Sequence, residues 1–370
     1  MRSASRSRSL RLCGVVLALG ACAAPRRVPA ADGRAARDSS VESSRSGLRR
    51  GDKTIRVLLA RASGRDVIVR SGPGITTWNG RQYRGTVDLQ RDVSGDAIVN
   101  AVDLEDYLRG VLPGEIGSRD PRDRAALQAQ AVAARSYAAA RMGERRSLYD
   151  VTATVSDQVY GGMSAERSET DDAVRATRGL VLTWADRIIT APYHAHGGVM
   201  TASSDELFWR NAAQSYLRPV DDHAPGGGCY CDASGTRGWE RRFTTAGLRQ
   251  LLQQYGAAAG VARVSDVRTL RITARGPSGR VTTLEFEMAD GRAIVRGNDI
   301  RSVLRTDGAI LPSTNFSVEL RGDVWLLSGT GNGHGVGMSQ WGAIGRARAG
   351  QDARSILAAY YPGTRLAPLL

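Results

Sequence analysis

The sequence has almost no lysine. Lys53 is its one lysine, and arginine carries nearly all of the positive charge. Residues 1–50 contain eleven arginines and three acidic residues, so they supply +8 of the formal net charge of +14. No basic stripe alternates with aromatic side chains, which is the pattern expected of a nucleic-acid groove. The arginine excess is typical of a genome-wide compositional bias, and we expect no nucleic-acid partner.

The sequence also lacks a long apolar run at its start. Residues 14–20 are apolar and follow four arginines, but a transmembrane helix needs about 20 apolar residues. This pattern is typical of a signal peptide, predicted here for residues 1–22. Its end, Leu19-Gly20-Ala21-Cys22, resembles the lipobox of bacterial lipoproteins, so Cys22 is predicted to carry a lipid anchor. The alternative is simple cleavage near Ala23, which would discard Cys22. Either way we expect an exported protein.

The remaining chain is predicted to begin with a flexible tether and to continue as one folded unit. Residues 23–50 are rich in Ala, Arg, Ser and Pro, a composition typical of a solvated linker. From residue 51 to 370, short β-like runs alternate with helical segments and no linker separates them. Strands are predicted, among others, at residues 149–155, 269–274, 282–288 and 293–296. The fold class predicted is α+β, with mixed sheet regions around one long central helix and a substrate cleft.

One carboxylate stands alone among apolar and glycine neighbours in the stretch Gly110-Val111-Leu112-Pro113-Gly114-Glu115-Ile116-Gly117. The proline and the glycines argue against a regular helix, so Glu115 is predicted to lie on a tight loop that a ligand can approach closely. Its apolar neighbours would desolvate the carboxyl and raise its pKa, as a general acid near neutral pH requires. The alternative is an ordinary exposed glutamate in a loop.

A long alanine-rich helix is predicted next, from Arg122 to Met142. Asp120 precedes Pro121 as the N-cap residue, and Gly143 is expected to stop the helix. Alanines recur along it and leave its surface thin enough for another element to pack closely. The alternative is a plain buried helix without a role in a site.

Two glycine-containing segments are candidates for substrate binding. In Ser156-Asp157-Gln158-Val159-Tyr160-Gly161-Gly162, Gln158 could bond a sugar and Tyr160 could stack on it; the alternative is a glycine turn with a half-buried tyrosine. Residues 331–342 hold five glycines within twelve positions, with His334 among them. No lysine follows these glycines, so the segment is not a phosphate-binding loop. A lone histidine in such a turn is more often structural.

A metal site is predicted where three of the four histidines and two cysteines fall between residues 194 and 231. His194, His196, Cys229 and Cys231 would form a tetrahedral zinc set, and with four ligands filled the zinc would be structural. Two alternatives stay open, a Cys229–Cys231 disulfide in an oxidising compartment and free thiols.

Five segments, read in order, resemble one known family. They are EDYLRGVLPGEI, ALQAQAVAARSYA, SDQVYGG, ATRGLVLTW and GHGVGMSQWGA. Together they resemble the stage II sporulation protein D and amidase-enhancer family, over about residues 55–366. The resemblance implies a β-rich region at 51–102, a catalytic core at 103–245, a variable β-rich part at 246–328 and a closing block at 329–370. It also implies that Glu115 is catalytic and that Gln158, Tyr160, His334, Ser339 and Gln340 bind substrate.

The family's zinc-binding members carry a motif similar to Tyr-His-x-x-Cys-Gly-Gly. Here the matching stretch is Tyr193-His194-Ala195-His196-Gly197-Gly198, which is one residue shorter and has His196 where the cysteine would stand. The resemblance therefore implies a zinc site with altered ligands.

The sporulation members of the family are lytic transglycosylases, so the resemblance implies cleavage of peptidoglycan glycan strands, with peptide-stripped strands as the expected substrate. A second catalytic carboxylate cannot be assigned, although Glu105, Asp106 and Asp157 lie in or near the family segments. A hydrolase usually needs two carboxyl groups, whereas intramolecular attack by the sugar itself needs one acid. The alternative function is a non-catalytic glycan-binding enhancer of a cell-wall amidase.

Overall fold

The computed structural model describes residues 53–62, 70–72, 74–92, 95–117, 119–142, 148–235 and 238–369. The predicted signal peptide, the lipidation site Cys22 and the tether at 23–50 lie outside these residues, as does Gly143, the expected helix stop. Within the described ranges, no helix combines the length and the apolar character needed to cross a membrane.

The described residues contain eight α-helices and twenty strands, several of them only two residues long. The helices are α1 Leu104–Glu115, α2 Arg124–Met142, α3 Ser168–Ala176, α4 Ser204–Leu207, α5 Thr245–Tyr255, α6 Asp299–Val303, α7 Gln340–Arg348 and α8 Ala353–Tyr360. The strands are β1 Thr54–Ala62, β2 Arg70–Gly72, β3 Ile75–Trp78, β4 Arg81–Arg84, β5 Thr86–Asp92, β6 Gly95–Asp103, β7 Val151–Thr152, β8 Leu180–Trp184, β9 Arg187–Ile188, β10 Tyr193–His194, β11 Trp239–Thr244, β12 Val267–Arg275, β13 Val281–Met288, β14 Gly291–Arg296, β15 Arg305–Thr306, β16 Ala309–Ile310, β17 Phe316–Arg321, β18 Val324–Gly329, β19 Met338–Ser339 and β20 Arg365–Pro368.

The α+β class is confirmed, because helices and small sheets are both present throughout the described chain. The largest sheet has the strand order β5-β6-β1-β7, in which β1 and β7 run parallel and the other neighbours run antiparallel. Two three-stranded antiparallel sheets, β12-β13-β14 and β11-β18-β17, form the later part. The pair β10 and β19 is parallel and joins residues 193–194 to residues 338–339.

Helix α1 continues through the segment predicted to be a loop. The helix starts at the N-cap Asp103, whose side chain accepts from the Glu105 backbone N–H, and it runs past Pro113 to Glu115. The prediction of a loop was wrong because Pro113 removes a single helical hydrogen bond, a loss that burial of the neighbouring apolar residues outweighs. Fully buried Leu108, Val111 and Leu112 stabilise the last turns.

The glycines of this segment serve close packing rather than a turn. A Cβ atom at Gly110 would lie 2.4 Å from the Tyr160 ring, and one at Gly114 would lie 2.9 Å from a Val159 methyl carbon. The Gly110 carbonyl also accepts a hydrogen bond from the Gly161 N–H at 3.0 Å. The missing side chains therefore let residues 159–161 pack directly on the helix.

Helix α2 begins two residues later than predicted, but with the expected cap. The Asp120 side chain accepts from the Arg122 backbone N–H at 2.9 Å, and a single 3₁₀ turn at Pro121–Asp123 leads into the helix. The alanines expected to thin the helix surface are all completely buried, namely Ala126, Ala129, Ala133, Ala134 and Ala138. Their small size lets α2 contact α1, α3, α7, α8 and β8.

One predicted strand is much shorter in the structure. Residues 149–155 were expected to form a strand, but only β7 is present. Asp157 explains this, because its carboxylate accepts from the Thr152 backbone N–H at 2.9 Å and from the Thr152 hydroxyl at 3.0 Å. The Asp157 side chain thus accepts the hydrogen bonds that a neighbouring strand would otherwise accept, and the chain turns at this point.

Two hydrophobic cores are formed. The first surrounds α1, α2, α3, α7 and α8 together with the largest sheet. The second lies within residues 243–327 and is built from α5, α6 and the strands β12–β14, β17 and β18. Glu115 belongs to the first core, at the end of α1.

Candidate active site

The Glu115 carboxyl lies where three segments of the chain meet. It accepts a hydrogen bond from the Val159 backbone N–H at 2.7 Å, so the segment 156–162 lies directly against it. The side chain of Gln340, the first residue of α7, bonds the same carboxyl. Protein atoms surround the group closely, while the residue keeps partial contact with solvent. The carboxyl is therefore both desolvated and reachable.

This environment changes the acidity of Glu115. Burial disfavours the charged carboxylate and raises the pKa of Glu115 to about 7, while the bonds from the Val159 N–H and the Gln340 side chain act in the opposite direction. Desolvation is the larger effect. A carboxyl of this acidity is protonated in roughly half of the molecules at neutral pH, which suits a general acid.

Two tyrosines that the sequence did not single out lie near the carboxyl. Tyr107 on α1 is fully buried, and Tyr193 on β10 is partly exposed. Burial raises the pKa of both phenols, and the negative charge of Glu115 raises it further. Both phenols stay protonated, so they add no charge near Glu115. In the sequence, these two tyrosines stood out only because they lie in the segments next to Glu115 and next to the histidines.

Gln158 does not face a substrate in this structure. Its side chain is completely buried, accepts from the Tyr107 hydroxyl at 3.0 Å, and donates to the Tyr193 hydroxyl at 2.9 Å and the Ala134 carbonyl at 3.3 Å. The prediction of direct sugar binding is corrected: Gln158 links α1, α2 and β10 behind Glu115, because its amide can satisfy all three elements at once.

Tyr160 is also structural. It is only 6% exposed, its hydroxyl donates to the Asn100 side chain at 2.9 Å, and its ring lies against Tyr83 and Tyr107. The ring fills the space over Gly110, so it cannot stack on a sugar as predicted. The sequence could not show this, because a tyrosine in a glycine turn has no periodic pattern that reveals its burial.

The glycine-rich block at 331–342 lies against residues 192–197. Gly331, Gly333, Gly335 and Gly337 all have a positive φ, and a Cβ atom at Gly337 would lie 2.0 Å from the Pro192 carbonyl oxygen. Backbone bonds from Asn332 to His196, from Ala202 to Gly335 and from Met338 to Pro192 join the two segments. The glycines thus let residues 192–197 pack against this block. The sequence had predicted that a sugar would bind there.

Of the three residues predicted in this block, only Gln340 reaches Glu115. Ser339 is fully buried and caps α7, since its hydroxyl accepts from the backbone N–H groups of Gly342 and Gly197, each at 3.1 Å. His334 accepts from the Val336 N–H at 3.1 Å and bonds the Tyr193 carbonyl. Burial lowers the pKa of His334 to about 3. Both ring nitrogens of His334 are thus engaged within the protein, as is the Ser339 hydroxyl, and the substrate contacts expected of these two residues stay predictions.

The three further carboxylates considered from the sequence are all engaged elsewhere. Glu105 accepts two bonds from the buried Arg135 guanidinium, each at 2.8 Å. Asp106 lies 3.4 Å from Arg109, and Asp157 fixes the turn after β7. None of these three groups is placed as a partner of Glu115.

The four predicted zinc ligands do not fit a zinc ion in this structure. Cys229 and Cys231 are joined in a disulfide, the alternative that the sequence left open. His196 accepts from the Gly198 N–H through Nδ1 at 3.2 Å, so the neutral ring carries its proton on Nε2 and offers no lone pair there. Within the described ranges, no group of three or more His, Cys, Asp or Glu side chains could hold a metal ion.

Comparison with known proteins identifies the family. The model of the stage II sporulation protein family matches residues 93–184, which include Glu115 and the segment 156–162. An uncharacterized protein of Brachyspira hyodysenteriae is 31% identical over 289 residues, covering 78% of this chain and 73% of the relative. The chain belongs to the stage II sporulation protein D family.

Two named relatives of the family come from Bacillus subtilis. Stage II sporulation protein D is 29% identical over 287 residues, which cover 72% of this chain and 75% of the relative. The amidase enhancer is 28% identical over 323 residues, but the match spans only 44% of that longer protein. A second model, for a domain of unknown function, matches residues 231–337, which include the second core.

Proposed function

We propose that this protein is a peptidoglycan lytic transglycosylase, in which Glu115 cleaves the bond between N-acetylmuramic acid and N-acetylglucosamine. Membership of the stage II sporulation protein D family and the name of the amidase enhancer support a role at the cell wall. The observation that carries the proposal is one reachable carboxyl with a pKa of about 7, held by the Val159 N–H and the Gln340 side chain.

The proposed reaction needs no second carboxylate. Protonated Glu115 gives its proton to the glycosidic oxygen, and the bond from that oxygen to the muramic anomeric carbon breaks. The muramic 6-hydroxyl oxygen then bonds to the same carbon, and its proton passes to the Glu115 carboxylate. The products are a free 4-hydroxyl on N-acetylglucosamine and a 1,6-anhydro-muramic end, and the acid is restored. Because attack is intramolecular, its effective concentration is high.

The proposed setting is outside the cytoplasm. A Cys229–Cys231 disulfide supports an oxidising compartment, in line with the exported, lipid-anchored protein expected from the sequence. The partners proposed are peptidoglycan glycan strands and, by analogy with the amidase enhancer, a cell-wall amidase. Peptide-stripped strands are the expected substrate.

Mass spectrometry of reaction products tests the proposal. The purified protein and its Glu115→Gln variant are incubated with amidase-treated peptidoglycan. We expect 1,6-anhydro-muramic ends from the wild type and a rate at least about 10²–10⁴-fold lower from the variant, since general acid catalysis contributes about that factor. Reducing ends that contain added water would show hydrolysis instead. No product from either protein would favour the glycan-binding enhancer.

A further inference from the structure

An arginine and a tryptophan contact each other, and each lies close in sequence to a residue of the Glu115 site. Arg119 follows Glu115 by four residues, and Trp341 directly follows Gln340, which bonds Glu115. The Arg119 guanidinium carbon lies 4.6 Å from the centroid of the Trp341 ring. A Cβ atom at Gly117 would lie 3.8 Å from the Arg119 Nη2 atom, so the guanidinium extends over the loop that leaves the catalytic helix.

Within the described residues Arg119 forms no ion pair with a carboxylate, although the charge of Asp123 acts on it and raises its pKa. Asp123 is near, but both of its oxygens are taken by Arg348, at 2.7 and 2.9 Å. The Nε atom of Arg119 is buried without a hydrogen-bond acceptor, and its side chain forms no ion pair within the described part of the chain. Burial and the nearby charge of Arg348 lower the pKa of Arg119, so the group is partly desolvated.

An arginine in this setting is suited to bind an anion. A guanidinium binds a carboxylate through two parallel hydrogen bonds, and stacking on an indole ring holds its plane in place. Arg119 and Trp341 are both partly exposed, as Glu115 is, so solvent reaches all three residues. The polar donors and the aromatic face together suit an acidic sugar.

We propose that Arg119, held against Trp341, binds a carboxylate of the glycan strand and so selects which strands Glu115 cleaves. This inference rests on the proposed function. In peptidoglycan, N-acetylglucosamine carries no carboxylate. The muramic lactyl group is a free carboxylate once its peptide is removed, and an uncleaved stem peptide carries carboxylates of its own. Both sources offer the same chemistry.

Binding measured without turnover tests the proposal. The Glu115→Gln variant serves as the parent, and Arg119→Gln is added to it. Three glycans are compared by calorimetry: amidase-treated strands, peptide-bearing strands, and amidase-treated strands whose carboxyls have been converted to methylamides. Arg122→Gln in the same parent is the matched control, since Arg122 is 71% exposed and pairs with the neighbouring Asp120.

We expect Arg119→Gln to weaken binding of a carboxylate-bearing strand by about 10- to 100-fold, the range for a lost charged hydrogen bond. The parent should bind methylamide strands weakly, and the Arg119→Gln protein should bind them with the same affinity as the parent. A loss of affinity confined to amidase-treated strands identifies the lactyl carboxylate as the bound group. A loss of affinity confined to peptide-bearing strands identifies a stem-peptide carboxylate. Arg119→Lys should keep part of the affinity, and Arg122→Gln should keep all of it.

Two results would overturn the proposal: equal affinity of the parent and the Arg119→Gln protein for every strand, or an equal loss on charged and methylamide strands, which would mean a structural role. Cleavage by the wild type is scored separately. If the wild type cleaves strands and Arg119→Gln binds normally, only this inference fails. If the wild type yields no product while the carboxylate effect persists, only the proposed reaction fails.

Discussion

The two hydrophobic cores of the described chain place their ion pairs differently. In the first core, ion pairs lie inside: Glu105 pairs with Arg135, whose side chain has no solvent exposure, and Asp222 pairs with the buried Arg346. In the second core, the pair Arg271–Glu287 lies on the outer face of a sheet, with side chains 67% and 47% exposed. The first core thus surrounds charged groups, whereas these second-core charges stay in water.

This difference bears on the chemistry of Glu115. A core that encloses polar side chains and satisfies them through hydrogen bonds can also hold the Glu115 carboxyl out of water, because the Val159 N–H and the Gln340 side chain supply it with fixed partners. The same burial that makes such groups costly raises the pKa of Glu115. The second core, within residues 243–327, contributes an apolar scaffold of aliphatic and aromatic side chains.

The comparison predicts its largest effect at Glu105. Glu105→Gln removes the charge that balances the buried Arg135, so we expect a loss of about 3–5 kcal/mol in the free energy of unfolding. The matched change Glu287→Gln in the second core should cost less than about 1 kcal/mol, since exposed pairs contribute little. Urea unfolding of both variants measures this. Equal losses would remove the distinction between the two cores.

A smaller effect is predicted at Glu115, and it depends on pH. Folding raises the pKa of Glu115 from about 4.5 to about 7, so the unfolded chain ionises first as pH rises. The wild type therefore loses stability relative to Glu115→Gln between these values. Below pH 4.5 the two proteins should be equally stable, and above pH 7 the variant should be more stable by at most about 3–4 kcal/mol.

Thermal unfolding across pH 4–8 measures that difference, with Glu287→Gln as the control that should show no comparable dependence in this window. A constant difference between wild type and Glu115→Gln at every pH would mean that the carboxyl is not desolvated by the fold.

The smallest predicted effect concerns packing in the first core. A Cβ atom at Gly110 would contact the Tyr160 ring at 2.4 Å, so Gly110→Ala should cost about 1–2 kcal/mol through overpacking. It should also displace the segment whose Val159 N–H holds Glu115. The control is Gly226→Ala, since nothing lies within 4 Å of a Cβ atom there and its φ is not positive. A Gly110→Ala protein as stable as wild type would show that Tyr160 has room to move.

Sequence patterns predicted the second core better than the site. The strands β12, β13 and β14 were expected to within three residues, because buried and exposed side chains alternate along them. The end of α1 was missed because Pro113 and the glycines outweighed the buried apolar residues around them. The family segments identified Glu115 and Gln340, while the burial of Gln158 and Tyr160 follows from contacts between segments far apart in sequence.

The acidity of Glu115 is the central claim, and a direct titration tests it best. Carbon-13 NMR of protein labelled at glutamate side-chain carboxyls, with Glu115→Gln to assign the signal, follows that one group through pH 3–9. The structure predicts a midpoint near pH 7. A midpoint near 4.5, the value of an ordinary glutamate, would contradict the account of Glu115 as a desolvated general acid.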